Sequence, residues 1–237
     1  ISPSLTYMNS VNFKNYSLLN EFDFTILKRN EATSDNPSDS FKLNINNELF
    51  NSYFLKRLYF KNKIILNNSY SDYHFKNNET LNHNSIKSNI KLSSDLYYQN
   101  LSFITPRLKL IIPVQLENSN KSINEESKSI TFNYQNQFSE SRFFGNDLFD
   151  SSPRIVYGLE YFTKLKRQNI NFNINQSYET NLNSRYSNLI NQSSKFSDYS
   201  IETIINRDNI SFILDTRLDE KTLSKKEMTY SLIFTEP

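Results

Sequence analysis

Apolar and polar residues take turns along much of this chain. In 130–138, Ile130, Phe132, Tyr134 and Phe138 share one face, while Thr131, Asn133, Gln135 and Gln137 share the other. In 170–178, Ile170, Phe172, Ile174 and Tyr178 oppose Asn171, Asn173, Asn175 and Ser177. In 210–218, Ile210, Phe212, Leu214 and Leu218 oppose Ser211, Asp215 and Arg217, with Ile213 out of phase. The same period runs through 41–45, 108–116, 155–161 and 228–234. Successive side chains of a strand point to opposite faces, so a period of two predicts strands with one apolar and one wet surface. About twelve to fourteen strands are expected, with ends placed to within ~2–4 residues.

The connections predict antiparallel hairpins. Lys166-Arg167-Gln168-Asn169 and Asn206-Arg207-Asp208-Asn209 are tight polar links, whereas 139–153, 179–197 and 219–226 are longer. From residue 128 onward, long and short links alternate; before it the rhythm is less clear. Outer-membrane barrels combine short turns at one end with longer loops at the other. The polar stretches 29–40, 76–85 and 117–129 read as loops rather than domain linkers. With only two Gly, tight turns must place Asn and Asp at positive φ. Pro113, inside an alternating run, predicts a bulge or a local break in pairing, because proline cannot donate to a ladder.

Composition narrows the reading. Hydrophobic residues make up 37% of the 237-residue chain, yet aromatics reach 14%. Disordered chains are poor in aromatics, so a sheet with one wet face explains the polarity better. Alanine occurs once, at Ala32, while Asn and Ser abound, which gives little intrinsic drive to helix. A net charge of +2 carries no electrostatic footprint for nucleic acid. Cysteine is absent, which removes disulfides, thiolate catalysis and thiolate metal sites. No apolar run approaches the roughly 20 residues of a membrane helix. The chain begins Ile1-Ser2-Pro3 and ends in a strand-like run, Met228 to Thr235. Both ends look cut, and a fragment of a longer protein is expected. The predicted fold class is all-β: an antiparallel transmembrane β-barrel, present as a partial barrel or open curved sheet. Residues 1–237 are expected to be one barrel segment with no internal boundary.

Between residues 104 and 161 an ordered set of short elements stands out. It comprises Thr105-Pro106-Arg107, the strand proline Pro113, then Ser141-Arg142-Phe143-Phe144-Gly145-Asn146-Asp147, and Ile155-Val156-Tyr157-Gly158-Leu159-Glu160-Tyr161. In order and spacing these resemble the lipopolysaccharide-assembly outer-membrane protein family LptD, also called organic solvent tolerance protein. That family runs a Pro-Arg pair, a later strand proline, an Arg-Phe-x-Gly-x-Asp element and a Tyr-Gly-Leu strand. Leu214-Asp215-Thr216-Arg217-Leu218-Asp219 looks like a further family strand. Leu148 departs from the pattern, where the family commonly has Arg. The resemblance implies a large barrel that moves lipopolysaccharide into the outer leaflet. It also implies a lumenal lipoprotein plug of the LptE type, a periplasmic bridge protein and a place in the bacterial outer membrane.

Several residues carry candidate chemistry. Gly145 would supply a positive φ that other residues resist, and Asp147 would accept turn hydrogen bonds; together with Arg142 and Phe143 they read as a device folding a long loop back onto the barrel. Gly158, in mid-strand, predicts a bulge or the close approach of an aromatic. Arg107, Lys109, Arg142, Arg154 and Arg217 are candidates for holding a phosphorylated headgroup through charge-assisted hydrogen bonds, against the plainer reading of wet-face residues. Pro106, Pro113 and Tyr157 complete the motif as structural residues. His74 and His83 are the only histidines, and His83-Asn84-Ser85 is not a triad, since neighbours on a strand face opposite ways. Glu125, Glu126, Asp219 and Glu220 read as solvated loop charges. No enzyme activity, cofactor or metal is expected. Three rivals stay open: a porin-like channel, a surface β-sandwich adhesin and an outer-membrane hydrolase.

Overall fold

The computed structural model describes residues 4–28, 39–74, 83–98, 104–117, 128–129, 133–139, 141–144, 150, 152–181 and 194–235. Eleven of its strands form one antiparallel sheet, joined in chain order. They are β1 (Ser4–Phe13), β2 (Tyr16–Lys28), β3 (Asp39–Leu55), β4 (Leu58–His74), β5 (His83–Tyr98), β6 (Ile104–Glu117), β9 (Arg154–Leu165), β10 (Gln168–Glu179), β11 (Tyr199–Arg207), β12 (Ile210–Leu218) and β13 (Lys225–Phe234). Between β6 and β9 the chain makes an excursion holding β7 (Lys128–Ser129), a one-turn helix α1 (Tyr134–Gln137) and β8 (Phe143–Phe144). β7 and β8 pair only with each other. The sheet is open: β1 and β13 stand at its two edges.

The strands are long because the alternation is long. β3 and β4 each run for 17 residues and pair along their whole length, from Asp39↔His74 to Leu55↔Leu58. At about 3.4 Å per residue either exceeds a bilayer's hydrocarbon thickness of roughly 30 Å even when tilted. The expected strands at 170–178 and 210–218 lie inside β10 and β12, and Ile213 does turn to the other face, opposite Ile204 and Ser231.

Connection lengths follow one rule from end to end. Two-residue turns join β1 to β2, β3 to β4, β9 to β10 and β11 to β12, and a five-residue link joins β5 to β6. The intervening connections are all longer. Every short connection therefore lies at the same end of the sheet, and the rhythm legible after residue 128 extends back to the first hairpin. The turn chemistry differs from expectation. Positive φ falls on Lys14, Lys56, Asp208 and Leu223, so Asp208 alone is of the anticipated type. Lysine at these positions bears a modest strain that asparagine would reduce.

A further expectation is corrected. Residues 134–137 are helical, not part of a strand over 130–138; 130–132 lie outside the described residues. The cause is local. Asn133 Oδ1 accepts from the Asn136 amide at 2.9 Å while Asn136 Oδ1 accepts from the Asn133 amide at 2.9 Å, a reciprocal cap that closes a helical turn. β6 runs through Pro113 to Glu117, in unshifted register with β5. Its pairing with β9 stops at Ile111↔Arg154. Pro113 thus lies beyond a break in pairing on one side, with no bulge on the other.

The sheet is also staggered. One register row starts at Phe13 beside a short turn, then passes through Tyr16, Asn51, Asn62, Ser94, Leu110, Ile155 and Tyr178. It finishes at the long-connection end of β9 and β10. A progressive stagger of this kind accompanies the strand tilt of a barrel wall.

Candidate functional site: the wet face beneath an inward-folded segment

The two faces of the sheet have opposite chemistry. One, called outward here, carries Leu43, Ile45, Leu49, Ile64, Leu66, Ile90, Leu92, Leu108, Leu110, Ile112, Ile155, Leu159, Phe172 and Leu232 in matching register. Most of these are exposed by more than a third, Leu232 to 55%. The other face carries Lys42, Asn44, Glu48, Lys63, Asp95, Lys109, Arg154, Asn173, Asn175, Glu179 and Glu202. Among the described residues five apolar side chains are buried, against twenty polar or charged ones. A water-soluble core has the reverse balance.

Among the described residues the wet face has one cluster of buried apolar side chains, a seat for the excursion. Ile111 of β6 and Val156 of β9 point to it, break the polar pattern there, and are fully buried with Tyr134 and Phe138 of the excursion. Gly158 completes the seat. A Cβ there would lie 2.7 Å from the Ile174 carbonyl oxygen and 3.3 Å from Phe138 Cζ. The aromatic approach expected at this glycine is present, and no register shift marks a bulge. Asn175 Nδ2 donates to the Tyr134 carbonyl at 2.8 Å, and Gln137 Nε2 donates to Ser197 Oγ at 3.2 Å. The excursion is thereby held against β10 and the segment that leads into β11.

Two ionic groups flank the seat. Arg107 of β6 lies over the Phe138 ring, its guanidinium carbon 3.9 Å from the centroid, and donates to Glu160 Oε1 at 2.7 Å and to the Tyr134 hydroxyl at 3.3 Å. Tyr134 in turn donates to Glu160. Burial and the neighbouring Glu160 carboxylate push the Tyr134 phenol well above its ordinary range. On the other side Arg142, Asp150, Arg154 and Glu179 form a closed quartet with side chains 0–1% exposed. Arg142 grips Asp150 with a bidentate fork, Nε and Nη2 each at 2.8 Å, and also donates to Glu179. Arg154 donates to Asp150 and, at 2.6 Å, to the Ser139 carbonyl. Desolvation alone would raise the Asp150 carboxyl, but Arg154 and Arg142 outweigh it and hold it far below the ordinary carboxylate range. Two cations and two anions cancel, which is the condition for enclosing four charges.

The remaining candidates fall elsewhere. Lys109 is buried on the wet face with Asp95 at 3.3 Å. Arg217 of β12 lies among Asp198 and Glu227, each at 3.4 Å, and lines an open cavity of about 210 Å³ with Asn133, Tyr134, Ser200, Asp215 and Thr229. Tyr157 is on the outward face and donates to Gln176; Pro106 is beside Leu159 on that face. Phe143 is in β8, opposite Ser129. Gly145 and Asp147 lie outside the described residues, as do Glu125 and Glu126. His74 ends β4, its Nε2 3.5 Å from Asp72, and His83 opens β5 opposite Tyr73. Asp198, Asp219 and Glu220 converge closely enough to hold an ion, but the Lys226 ammonium already lies 2.7 Å from Asp198 and 2.9 Å from Asp219. Burial first, and then the adjacent Glu220, raise the Asp198 carboxyl in spite of Lys226.

The structure brings Arg107, Arg142, Arg154 and Gly158 around one segment, and leaves Lys109 and Arg217 on separate stretches of the same face. Sequence reasoning missed Asp150, Glu179, Glu160, Tyr134 and Phe138 as partners. Their signal was the apolar pair Ile111 and Val156 at wet-face positions on adjacent strands, beside a strand glycine. No helix among the described residues is long and apolar enough to cross a membrane, which says nothing of strands. The fold places the protein among all-β proteins built on a single open antiparallel sheet. The chain matches no protein-family model and no curated protein.

Proposed function

We propose that this chain forms part of the wall of an outer-membrane β-barrel that guides lipopolysaccharide into the outer leaflet. The observation that carries the membrane half of this reading is the inversion of burial: aliphatic residues stand exposed on the outward face while charged residues are enclosed on the other. The hydrophobic effect would not leave such a face in water, whereas hydrocarbon covers it without cost. Outward polar residues support the same reading by satisfying one another. Ser94 donates to Asn62 at 2.7 Å and Asn62 to Asn51 at 3.2 Å, as a medium without water demands. The stagger of the register and the one-ended short turns agree with a barrel.

The cargo half rests on the resemblance of residues 104–161 to the lipopolysaccharide-assembly family. In this reading Arg217, which lines the open cavity, serves the hydrated sugar and phosphate groups on the wet face. Arg142 and Arg154 serve the wall itself, because a headgroup would have to displace Asp150 or Glu179 to reach them. Lipopolysaccharide, a lumenal lipoprotein and a periplasmic bridge protein are the partners that belong to this proposal. Depleting the protein and measuring lipopolysaccharide at the cell surface tests it; unchanged surface levels would remove the transport role.

One observation favours a second reading. The excursion pinned over Ile111 and Val156 narrows the wet side as a constriction loop does in a diffusion channel. Under that reading, depletion lowers outer-membrane permeability to small solutes and leaves surface lipopolysaccharide intact. A β-sandwich would place a second sheet over the apolar face, whereas the eleven long strands here lie in one sheet.

A further inference from the structure

The short-connection end of the sheet has a charge that its opposite end lacks. The five short connections contain five basic residues and one acidic, Asp208, whereas the five longer ones contain eight basic and eleven acidic. Lys14, Lys56, Arg57, Lys166 and Arg167 occupy the two-residue turns, and Arg207 stands at the last position of β11 on the outward face, opposite Ile210. All six are exposed, and none forms an ion pair with another described residue. Among the described residues nothing uses this charge: two of the cations even occupy positive-φ positions, Lys14 at 38° and Lys56 at 56°, where Asn or Gly would be less strained.

A second feature coincides with it. Beneath three of these turns the outward face carries exposed aromatic rings alongside aliphatic chains such as Leu55, Leu165 and Ile210. Phe13 pairs with Tyr16 across the first turn, Tyr53 stacks on Phe60 with centroids 5.0 Å apart, and Phe234 stands opposite Ile210. Phe13, Tyr16, Tyr53 and Phe234 are exposed to 57%, 50%, 43% and 69%. Amphipathic rings lodge at the headgroup level of a bilayer, and basic side chains just beyond them reach lipid phosphates. An acidic protein partner would use the cations but not these exposed rings.

We propose that the short-turn rim is a binding surface for anionic phospholipid headgroups of the leaflet it faces, with Lys14, Lys56, Arg57, Lys166, Arg167 and Arg207 as the contacts. The proposal rests on the outward face being lipid-facing and adds which lipid chemistry seats that rim. It is tested with the full chain and two kinds of vesicle, phosphatidylcholine alone and phosphatidylcholine doped with phosphatidylglycerol. The reading is the lipid concentration at half-maximal insertion. Phosphatidylglycerol should lower that concentration, and added salt should erase the gain by screening. The triple variant Arg57→Gln/Lys166→Gln/Arg167→Gln should lose about five-fold of the gain per residue, the equivalent of roughly 1 kcal/mol for each basic side chain at an anionic surface. Its insertion into phosphatidylcholine alone should match the parent and shows that it folds. Lys195→Gln/Lys221→Gln, at the opposite end, removes charge without touching the rim and should keep the full gain. Equal insertion into both vesicles, or an equal loss in both variants, overturns the rim proposal while leaving the membrane reading standing. Failure of the parent to insert into either vesicle overturns both.

Discussion

Asp150→Ala is the most informative single change, because it leaves two guanidiniums enclosed with one carboxylate. Asp150 contacts Arg142 at two atoms and Arg154 at a third, with side-chain exposure of 0%. Opposite charges ~4 Å apart attract by about 4 kcal/mol at an effective dielectric of 20, and two such attractions vanish together. The desolvation already spent on Arg142 and Arg154 remains, so a net loss of about 3–5 kcal/mol follows for a broken buried pair. That loss falls on the docking of the excursion, since Arg142 and the Ser139 carbonyl belong to it while Arg154 and Glu179 belong to the sheet. Amide hydrogen exchange is the assay. Residues 134–139 should exchange about two to four orders of magnitude faster, as ~1.4 kcal/mol per decade implies, while β3 and β4 keep their protection. The double change Arg142→Met/Asp150→Leu removes one cation and one anion and leaves Arg154 facing Glu179, its register partner. It should exchange more slowly than Asp150→Ala. Unchanged exchange at 134–139 in Asp150→Ala, or a double variant worse than the single, would refute the argument that charge balance pins this segment.

Other outcomes follow from the same geometry. The Asp150 carboxyl is depressed, so its stabilisation is complete above the ordinary carboxylate pKa of about 3.9. It is lost only as pH falls through the lower folded value; docking followed by Trp-free near-ultraviolet tyrosine signals should stay level from neutral pH to about pH 5 and decline only in stronger acid. Gly158→Ala forces a Cβ to 2.7 Å from the Ile174 carbonyl, and strand backbone must shift; a cost of about 1–3 kcal/mol should appear in denaturant unfolding. Phe138→Ala removes the ring beneath Arg107 and should cost roughly 3–5 kcal/mol of docking, read by protease nicking in the excursion. Leu92→Arg separates the environments of the outward face: in a bilayer it should cost about 2–4 kcal/mol near the midplane, whereas at a water-exposed site it would stay within about 0.5 kcal/mol. Near-neutral behaviour there would argue against lipid on that face.

Strand identity was written into the sequence wherever apolar side chains kept a period of two, because the pleat assigns alternate residues to opposite faces with no help from distant residues. Ile170 to Tyr178 and Ile210 to Leu218 are examples, and their two-residue turns are as local. What failed locally also failed for a local reason: in 133–138 the reciprocal Asn133–Asn136 cap overrode an alternation that looked like strand. The pairing of charges is a different matter. Arg142 and Arg154 were visible as cations, but Asp150 and Glu179 became their partners only once the excursion folded inward and β9 met β10 in register. Ile111 and Val156 read as lapses in a polar face until α1 came to rest on them. Contacts between residues far apart in the chain depend on register and on which loop turns back, and a one-residue slip would send every one of those side chains to the other face. Faces and turns therefore belonged to the sequence, whereas the plugged seat, the neutral quartet and the gathering of basic turns at one rim belonged to the tertiary structure.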